Sequence, residues 1–377
     1  MERIMIYLDY NATTPIDPAV ADAMRPFIEE KFGNPSSGHA LGRAAREAVE
    51  AARVSVGSLI GASADEIVFT SGGTEASNMA IKGAARLRRG RGRHIITTAV
   101  EHPATTEPIR WLEGEGFAKT MVGVDGMGMV DPDDIRGALR PDTVLISVMH
   151  AQNEVGTIEP IIEIGRIARE AGVLFHVDAA QSLGKIPTDV EVMHADLLSI
   201  AGHKLYGPKG IGALYVRSGV EIEALVHGAA QEKGRRGGTE NVIMAVGLGR
   251  AAELAAEHLG DTRTPGLRDR LWEGLRRVAG DRVVLNGHPT KRLPNTLNVS
   301  FSGWVGGSLL AKLDGVYAST GAACHSGDAK PSAVLTAMGI SRERAIGAVR
   351  FSVGRPTTEG EIDRVVCQVG TVLQSPV

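Results

Sequence analysis

Ser199-Ile200-Ala201-Gly202-His203-Lys204-Leu205-Tyr206-Gly207-Pro208-Lys209-Gly210 sets one lysine among glycines at the end of the apolar run Asp196-Leu197-Leu198-Ser199-Ile200. Upstream, Val173-Leu174-Phe175-His176-Val177 ends in the same way, on Asp178-Ala179-Ala180-Gln181. The pattern of a short apolar run followed by polar residues recurs at Ile67-Val68-Phe69, His94-Ile95-Ile96-Thr97, Thr143-Val144-Leu145-Ile146-Ser147-Val148 and Gly212-Ala213-Leu214-Tyr215-Val216. Amphipathic stretches separate the runs. In Ile161 to Ala171, for example, Ile161, Ile164, Ile167, Ala168 and Ala171 recur at helical spacing. Strand-like runs alternating with helical ones predict an α/β fold with a mostly parallel sheet flanked by helices.

A chain of 377 residues exceeds the size at which a single core stops growing. After a long alanine-rich helical pattern, Leu259-Gly260-Asp261-Thr262-Arg263-Thr264-Pro265-Gly266 breaks into turn-formers. The expected division is a large unit over 16–258 and a smaller α/β unit made of 1–15 and 259–377. Apolar content of 43%, charged content of 23% and a net charge of −3 are ordinary for a soluble globular protein and carry no basic footprint for nucleic acid. No apolar run approaches a bilayer span, and residues 1–9 contain no signal-peptide core, so a cytoplasmic location and no membrane partner are expected.

In open parallel sheets, ligands bind beyond the carboxyl ends of the strands. Those positions here hold Thr70-Ser71-Gly72-Gly73-Thr74-Glu75, Glu101-His102, His150-Ala151-Gln152-Asn153-Glu154, Asp178 with Gln181, and His203-Lys204. Ser71-Gly72-Gly73-Thr74 opens a helix, whose free N–H groups and positive dipole end suit a phosphate. Thr74 as an ordinary N-cap is the plainer alternative. Lys204, just past a buried strand and next to His203, has the setting of an amine with a lowered pKa. A carboxylate at Asp178 needs a cationic partner, either a pyridinium or a core arginine. A Schiff-base lysine together with an acid for a ring nitrogen is what pyridoxal 5′-phosphate requires. His102 is placed to stack on a flat ring, whereas His150 and His176 read as supporting or core residues. No His/Cys/Asp/Glu spacing recommends a metal.

The two cysteines differ in kind. Cys324 lies in Ala318-Ser319-Thr320-Gly321-Ala322-Ala323-Cys324-His325-Ser326-Gly327-Asp328-Ala329-Lys330-Pro331, a small-residue loop in which His325 and Lys330 favour the thiolate. Cys367 reads as a small buried hydrophobe on a helix with Ile362, Val365, Val366 and Val369. Arg350, in Ala348-Val349-Arg350-Phe351-Ser352-Val353-Gly354-Arg355, is either a carboxylate clamp or one half of a surface ion pair.

Taken together, these motifs resemble the cysteine desulfurases of the class V aminotransferase, fold-type-I pyridoxal phosphate group. The likeness runs from Tyr7-Leu8-Asp9-Tyr10-Asn11-Ala12-Thr13-Thr14-Pro15 and Gly33-Asn34-Pro35-Ser36-Ser37 through Phe69 to Glu75 and Gly202-His203-Lys204 to Arg350 to Arg355. It implies that Lys204 carries the cofactor, Asp178 meets the ring nitrogen, Gln181 and Asn153 lie near the ring hydroxyl, and His102 stacks on the ring. Gly73, Thr74 and His203 would hold the phosphate. Thr239, in Arg236-Gly237-Gly238-Thr239-Glu240-Asn241, would reach the phosphate of the other subunit of a homodimer. Asn11, Asn153 and Arg350 would bind L-cysteine, and Cys324 would take its sulfur as a persulfide for an acceptor protein. That acceptor would serve iron–sulfur assembly, tRNA thiolation or DNA phosphorothioation. Ala201, where many members have serine, and Ala229-Ala230, where glycines are frequent, imply one phosphate contact fewer. Gly321-Ala322-Ala323-Cys324-His325-Ser326 and Arg292-Leu293-Pro294-Asn295-Thr296 resemble selenocysteine lyases equally. An aminotransferase and an inactive binding scaffold are the remaining alternatives.

Overall fold

In the computed structural model, which describes residues 5–320 and 330–374, the apolar runs lie side by side. After a short β1 (Ile6–Tyr7) come β2 (Ile67–Thr70), β3 (His94–Thr98), β4 (Ala118–Val122), β5 (Thr143–Met149), β6 (Leu174–Asp178), β7 (Leu197–Ala201) and β8 (Gly212–Val216). Strands β2 to β8 make one sheet in the order β2-β8-β7-β6-β5-β3-β4, in which only β8 runs against the rest. Every residue of β2, β3, β5, β6, β7 and β8 is buried, because helices cover both faces of the sheet. Strand β4 is the exception. It is a largely solvated edge built from Ala118-Lys119-Thr120-Met121-Val122, and it lacks the β-branched run that reveals the others.

Register brings the strand ends level. Met149 of β5 pairs with Asp178 of β6, which pairs with Ser199 of β7. The residues that follow β5, β6 and β7 therefore emerge at one edge of the sheet.

A second, antiparallel sheet contains β9 (Val283–Asn286), β10 (Thr296–Phe301) and β12 (Ala348–Ser352), while β11 (Val316–Tyr317) pairs in parallel with β1. Leu267, Leu271 and Leu275 from helix Arg263–Ala279 pack with Ile362, Val365 and Val369 from helix Glu359–Gln374 against Phe301 and Phe351. Thr264-Pro265-Gly266, expected as turn, sit in the first turn of that helix, with Asp261 accepting the N–H groups of Arg263 and Thr264. Proline is tolerated there because the first N–H groups of a helix have no internal partner. Cys367 corrects a second expectation. It is exposed, since the stripe Ile362, Val365, Val369 and Leu373 faces the core and residue 367 points away from it.

Candidate active site

Helix Gly73–Leu87 begins where β2 ends. Gly72 is its N-cap, with φ 154° and ψ 177°, and no side chain caps it. Thr74 is therefore in the first turn rather than at the cap. A Cβ on Gly73 would lie 3.1 Å from the Cβ of Ala201 at the end of β7, so these two small residues keep the helix terminus open. The turn is braced by Glu75, which accepts the Ser71 N–H at 2.7 Å and pairs with Arg236 at 2.8 Å.

The terminus opens on a cavity of about 430 Å³ whose lining includes Gly73, Thr74, His102, Asn153, Asp178, Gln181, His203, Lys204 and Arg350. Asp178 is 7% exposed at the tip of β6 and accepts the Ala180 N–H at 2.9 Å. Among the described residues no arginine or lysine forms an ion pair with it. Burial raises its pKa, against the Ala180 N–H and the charges of His102 and Lys204. His102 caps helix Pro103–Gly114 with Nδ1, which accepts the Ala104 N–H at 3.1 Å, and the residue lines the cavity. Glu101 next to it is fully buried. Its carboxyl, held by the Thr98 hydroxyl and the Met149 N–H, is pushed up to about 8 by burial and stays protonated at neutral pH.

Lys204 Nζ donates to the carbonyls of Asn11 at 2.5 Å and Ala12 at 2.8 Å. Burial, followed by the Arg350 charge, lowers its pKa to about 8. His203 shares a 3.1 Å hydrogen bond with the Thr13 hydroxyl, and burial with the charges of three lysines brings it down to about 4. Gln181 Nε2 donates to the Asn11 carbonyl at 2.9 Å, and its Oε1 accepts Lys185 Nζ at 3.0 Å.

Arg350 is buried, 6% exposed, and not on the surface. Nη2 pairs with Asp9 at 2.7 Å and Nη1 donates to the Asn153 carbonyl at 3.0 Å, while Nε is buried with no partner among the described residues. The Asn11 side chain is engaged elsewhere: its amide group contacts Asn153, Thr296 and Asn295. What Asn11 turns toward Lys204 and Gln181 is its carbonyl. Thr239 lies on an exposed loop outside the cavity of its own chain. Cys324 falls outside the described residues. Ser319 before that segment makes two backbone hydrogen bonds with Arg350, and Ser332 after it bonds Glu154, so its described flanks adjoin the cavity. His150 and His176 are core residues. His176 lies between the Ser147 and Ser199 hydroxyls, and burial lowers it to about 3.

Sequence reasoning missed Asp9 and Lys185. Asp9 sits two residues before Asn11 in a motif read only for its likeness. Lys185 stands alone in Ser182-Leu183-Gly184-Lys185, where no local pattern marks it.

The aminotransferase class-V family matches residues 6–365. The chain is 49% identical over 377 residues to a cysteine desulfurase IscS of Methanosarcina thermophila, covering 99% of this chain and 93% of that protein. Among solved structures, one described as a NifS-like protein superposes with a TM-score of 0.92 at 39% identity, covering 98% of this chain and 99% of the other. SspA in complex with cysteine superposes with a TM-score of 0.83 at 37% identity, covering 92% of this chain and 98% of the other. The flanked, mostly parallel sheet is the fold of these NifS-like structures, and with the family match spanning nearly its whole length the chain belongs to the class V aminotransferases.

Proposed function

We propose that this chain is a pyridoxal phosphate-dependent cysteine desulfurase. The observation that carries the reading is one cavity lined by Lys204, by the buried Asp178, with which no described arginine or lysine forms an ion pair, by His102 and by a helix N-terminus that no side chain caps. The donor set fits the cofactor. A pyridinium would supply the charge Asp178 lacks, and the gap at Gly73 and Ala201 admits a phosphate to the free N–H groups of the Gly73–Leu87 helix. Thr74 and His203 line the same cavity and would contact the phosphate, while Gln181 and Asn153 would lie near the ring hydroxyl.

Pyridoxal phosphate supplies an electron-poor ring and an aldehyde that loosen the bonds at the α-carbon of a bound amino acid. Lys204 would hold the aldehyde between turnovers. With a pKa near 8 its released amine is partly neutral at physiological pH and can take the α-proton. Arg350, which lines the cavity with its fork already oriented by Asp9 and the Asn153 carbonyl, would hold the substrate carboxylate. Cys324 would attack the substrate sulfur. A sulfur–sulfur bond would form as the Cβ–sulfur bond breaks with its electron pair staying on carbon, and protonation at Cβ together with return of the proton to the α-carbon would yield L-alanine. The persulfide on Cys324 then passes to an acceptor protein.

The same reading includes a homodimer in which Thr239 reaches the partner's cofactor phosphate, with a large unit over 16–258 and a small unit of 1–15 and 259–377. Among the described residues no helix is long and apolar enough to cross a membrane, which accords with a cytoplasmic enzyme.

Incubation with pyridoxal phosphate and L-cysteine, followed by alanine assay and mass analysis of the Cys324 peptide, tests the proposal. A visible cofactor band that disappears in Lys204→Ala, one alanine per sulfur released and a 32 Da adduct, the mass of one sulfur, on Cys324 are expected. No band, or undiminished alanine release in Cys324→Ala, refutes it. Running Cys324→Ala with selenocysteine as well separates the lyase alternative.

A further inference from the structure

A second cavity of about 390 Å³ shares Lys204 as a lining residue with the first. Its walls are largely apolar, with Tyr10, Leu183, Ile186, Leu205, Pro265 and Val353 contributing. Four cations also line it: Lys185, Arg268, Arg292 and Arg355. The acid among its lining residues is Asp261, and its oxygens are already engaged by the N–H groups of Arg263 and Thr264 and the Thr264 hydroxyl.

Two of the cations are satisfied. Arg292 donates to the carbonyls of Thr296 and Val155, and Arg268 donates to the Leu293 carbonyl and pairs with Asp269. Lys185 and Arg355 are not. Among the described residues Lys185 Nζ has one acceptor, Gln181 Oε1, and no carboxylate pairs with it. Burial, reinforced by the like charges of Lys204 and Arg350, lowers its pKa to about 7. Arg355 stacks on the Tyr206 ring, 3.8 Å from its centroid, and places Nη2 3.6 Å from Asp17, while Nη1 is buried with no acceptor among the described residues. A buried ammonium with one amide acceptor and no carboxylate, and a guanidinium N–H with no acceptor among the described residues, are costly in an apolar enclosure, and an entering anion lowers that cost.

We propose that this second cavity is a binding site for a small monocarboxylate with an apolar body, its carboxylate held by Lys185 and by the guanidinium of Arg355. The apolar walls take the body of the ligand, and the shortage of acids excludes amines. The site communicates with the first cavity through three hydrogen bonds: Lys185 to Gln181 Oε1, Gln181 Nε2 to the Asn11 carbonyl, and Lys204 Nζ to that same carbonyl. A carboxylate that fixes Lys185 therefore fixes the Gln181 amide, which also lines the first cavity. This second consequence rests on the function proposed above, whereas binding itself does not.

The test is calorimetric titration of the cofactor-loaded protein with 3-phenylpropionate, with 3-phenylpropionamide as the neutral isostere, while the visible spectrum is recorded. Loss of a hydrogen bond to a charged group predicts binding about tenfold weaker or worse for the amide, for Lys185→Met and for Arg355→Gln. A band shift on saturation with the carboxylate is expected in the unaltered protein and not in Lys185→Met. Three results overturn the proposal: no binding up to about 10 mM, equal binding of acid and amide, or binding that is lost in Arg350→Ala but kept in Lys185→Met, which would assign the probe to the first cavity. Should Lys185→Met fail to fold, Arg355→Gln carries the test. A protein with no visible band refutes the cofactor reading alone, since the heats still report on Lys185.

Discussion

Replacing Asp178 by asparagine separates what this residue costs the fold from what it contributes to the site. The side chain is 7% exposed, accepts one backbone N–H at 2.9 Å, and has its pKa raised by burial. A carboxyl whose folded pKa lies above its unfolded value binds more protons folded than unfolded. Its contribution to stability therefore falls as pH rises through the unfolded value near 4, and the full penalty persists above the folded value. Asparagine keeps the acceptor for Ala180 and has no charge to desolvate. Cofactor-free Asp178→Asn should thus be at least as stable as the parent at pH 7, and its advantage should shrink below about pH 4. With pyridoxal phosphate bound the order should reverse. A charge-assisted hydrogen bond to the ring nitrogen is worth about 1.5–3 kcal/mol, so the dissociation constant should rise by about 10- to 150-fold. Scanning calorimetry with and without the cofactor at both pH values, combined with spectrophotometric release of the bound cofactor, reads both effects. A variant that is destabilised without cofactor and holds it as tightly as the parent would refute the assignment of Asp178.

The buried pair of Arg53 with Glu232, joined at 2.6 and 3.0 Å with side chains 8% and 4% exposed, gives a second prediction. Glu232→Ala leaves the buried guanidinium the longer 3.3 Å pairing with the more exposed Glu50 and the Ile67 carbonyl and should cost about 3 kcal/mol in urea unfolding, and adding Arg53→Met should recover much of it; a loss below about 1 kcal/mol contradicts this. His176 is held neutral in the fold, with its pKa lowered to about 3 from 6.5. The unfolded chain takes up the proton first, so this residue's stabilisation is present above about pH 6.5 and lost at about 1.4 kcal/mol per pH unit as pH falls below it. His176→Gln should flatten the pH dependence of unfolding between pH 6 and 4, and an unchanged slope counts against it. Arg350→Lys loses the planar fork and should raise KM for L-cysteine about tenfold or more with a smaller effect on kcat, whereas an unchanged KM would place the carboxylate elsewhere.

Six of the seven strands of the main sheet were legible because each is buried on both faces and so reads as a continuous apolar run. Strand β4 escaped because an edge strand has no such requirement, and Cys367 was misplaced because a helix of mixed composition can be rotated by one residue without changing its average pattern. Lys204, Asp178, His102 and the Gly72-Gly73 turn were legible for a related reason: in a parallel sheet the residue after each strand is committed to the same edge, so sequence position stands in for spatial position. Asp9, Lys185 and the state of Arg350 depend on contacts between segments far apart in the chain. Asp9 meets Arg350 through the pairing of the amino-terminal segment with β12, and Lys185 acquires meaning only through Gln181 and the second cavity. Local sequence thus determined which elements form and which residues terminate them, because hydrophobic period and turn chemistry act over a few residues. Only the tertiary structure decided which charges are paired, buried or left without a partner, because desolvation and Coulomb energy depend on neighbours that the order of the chain does not specify.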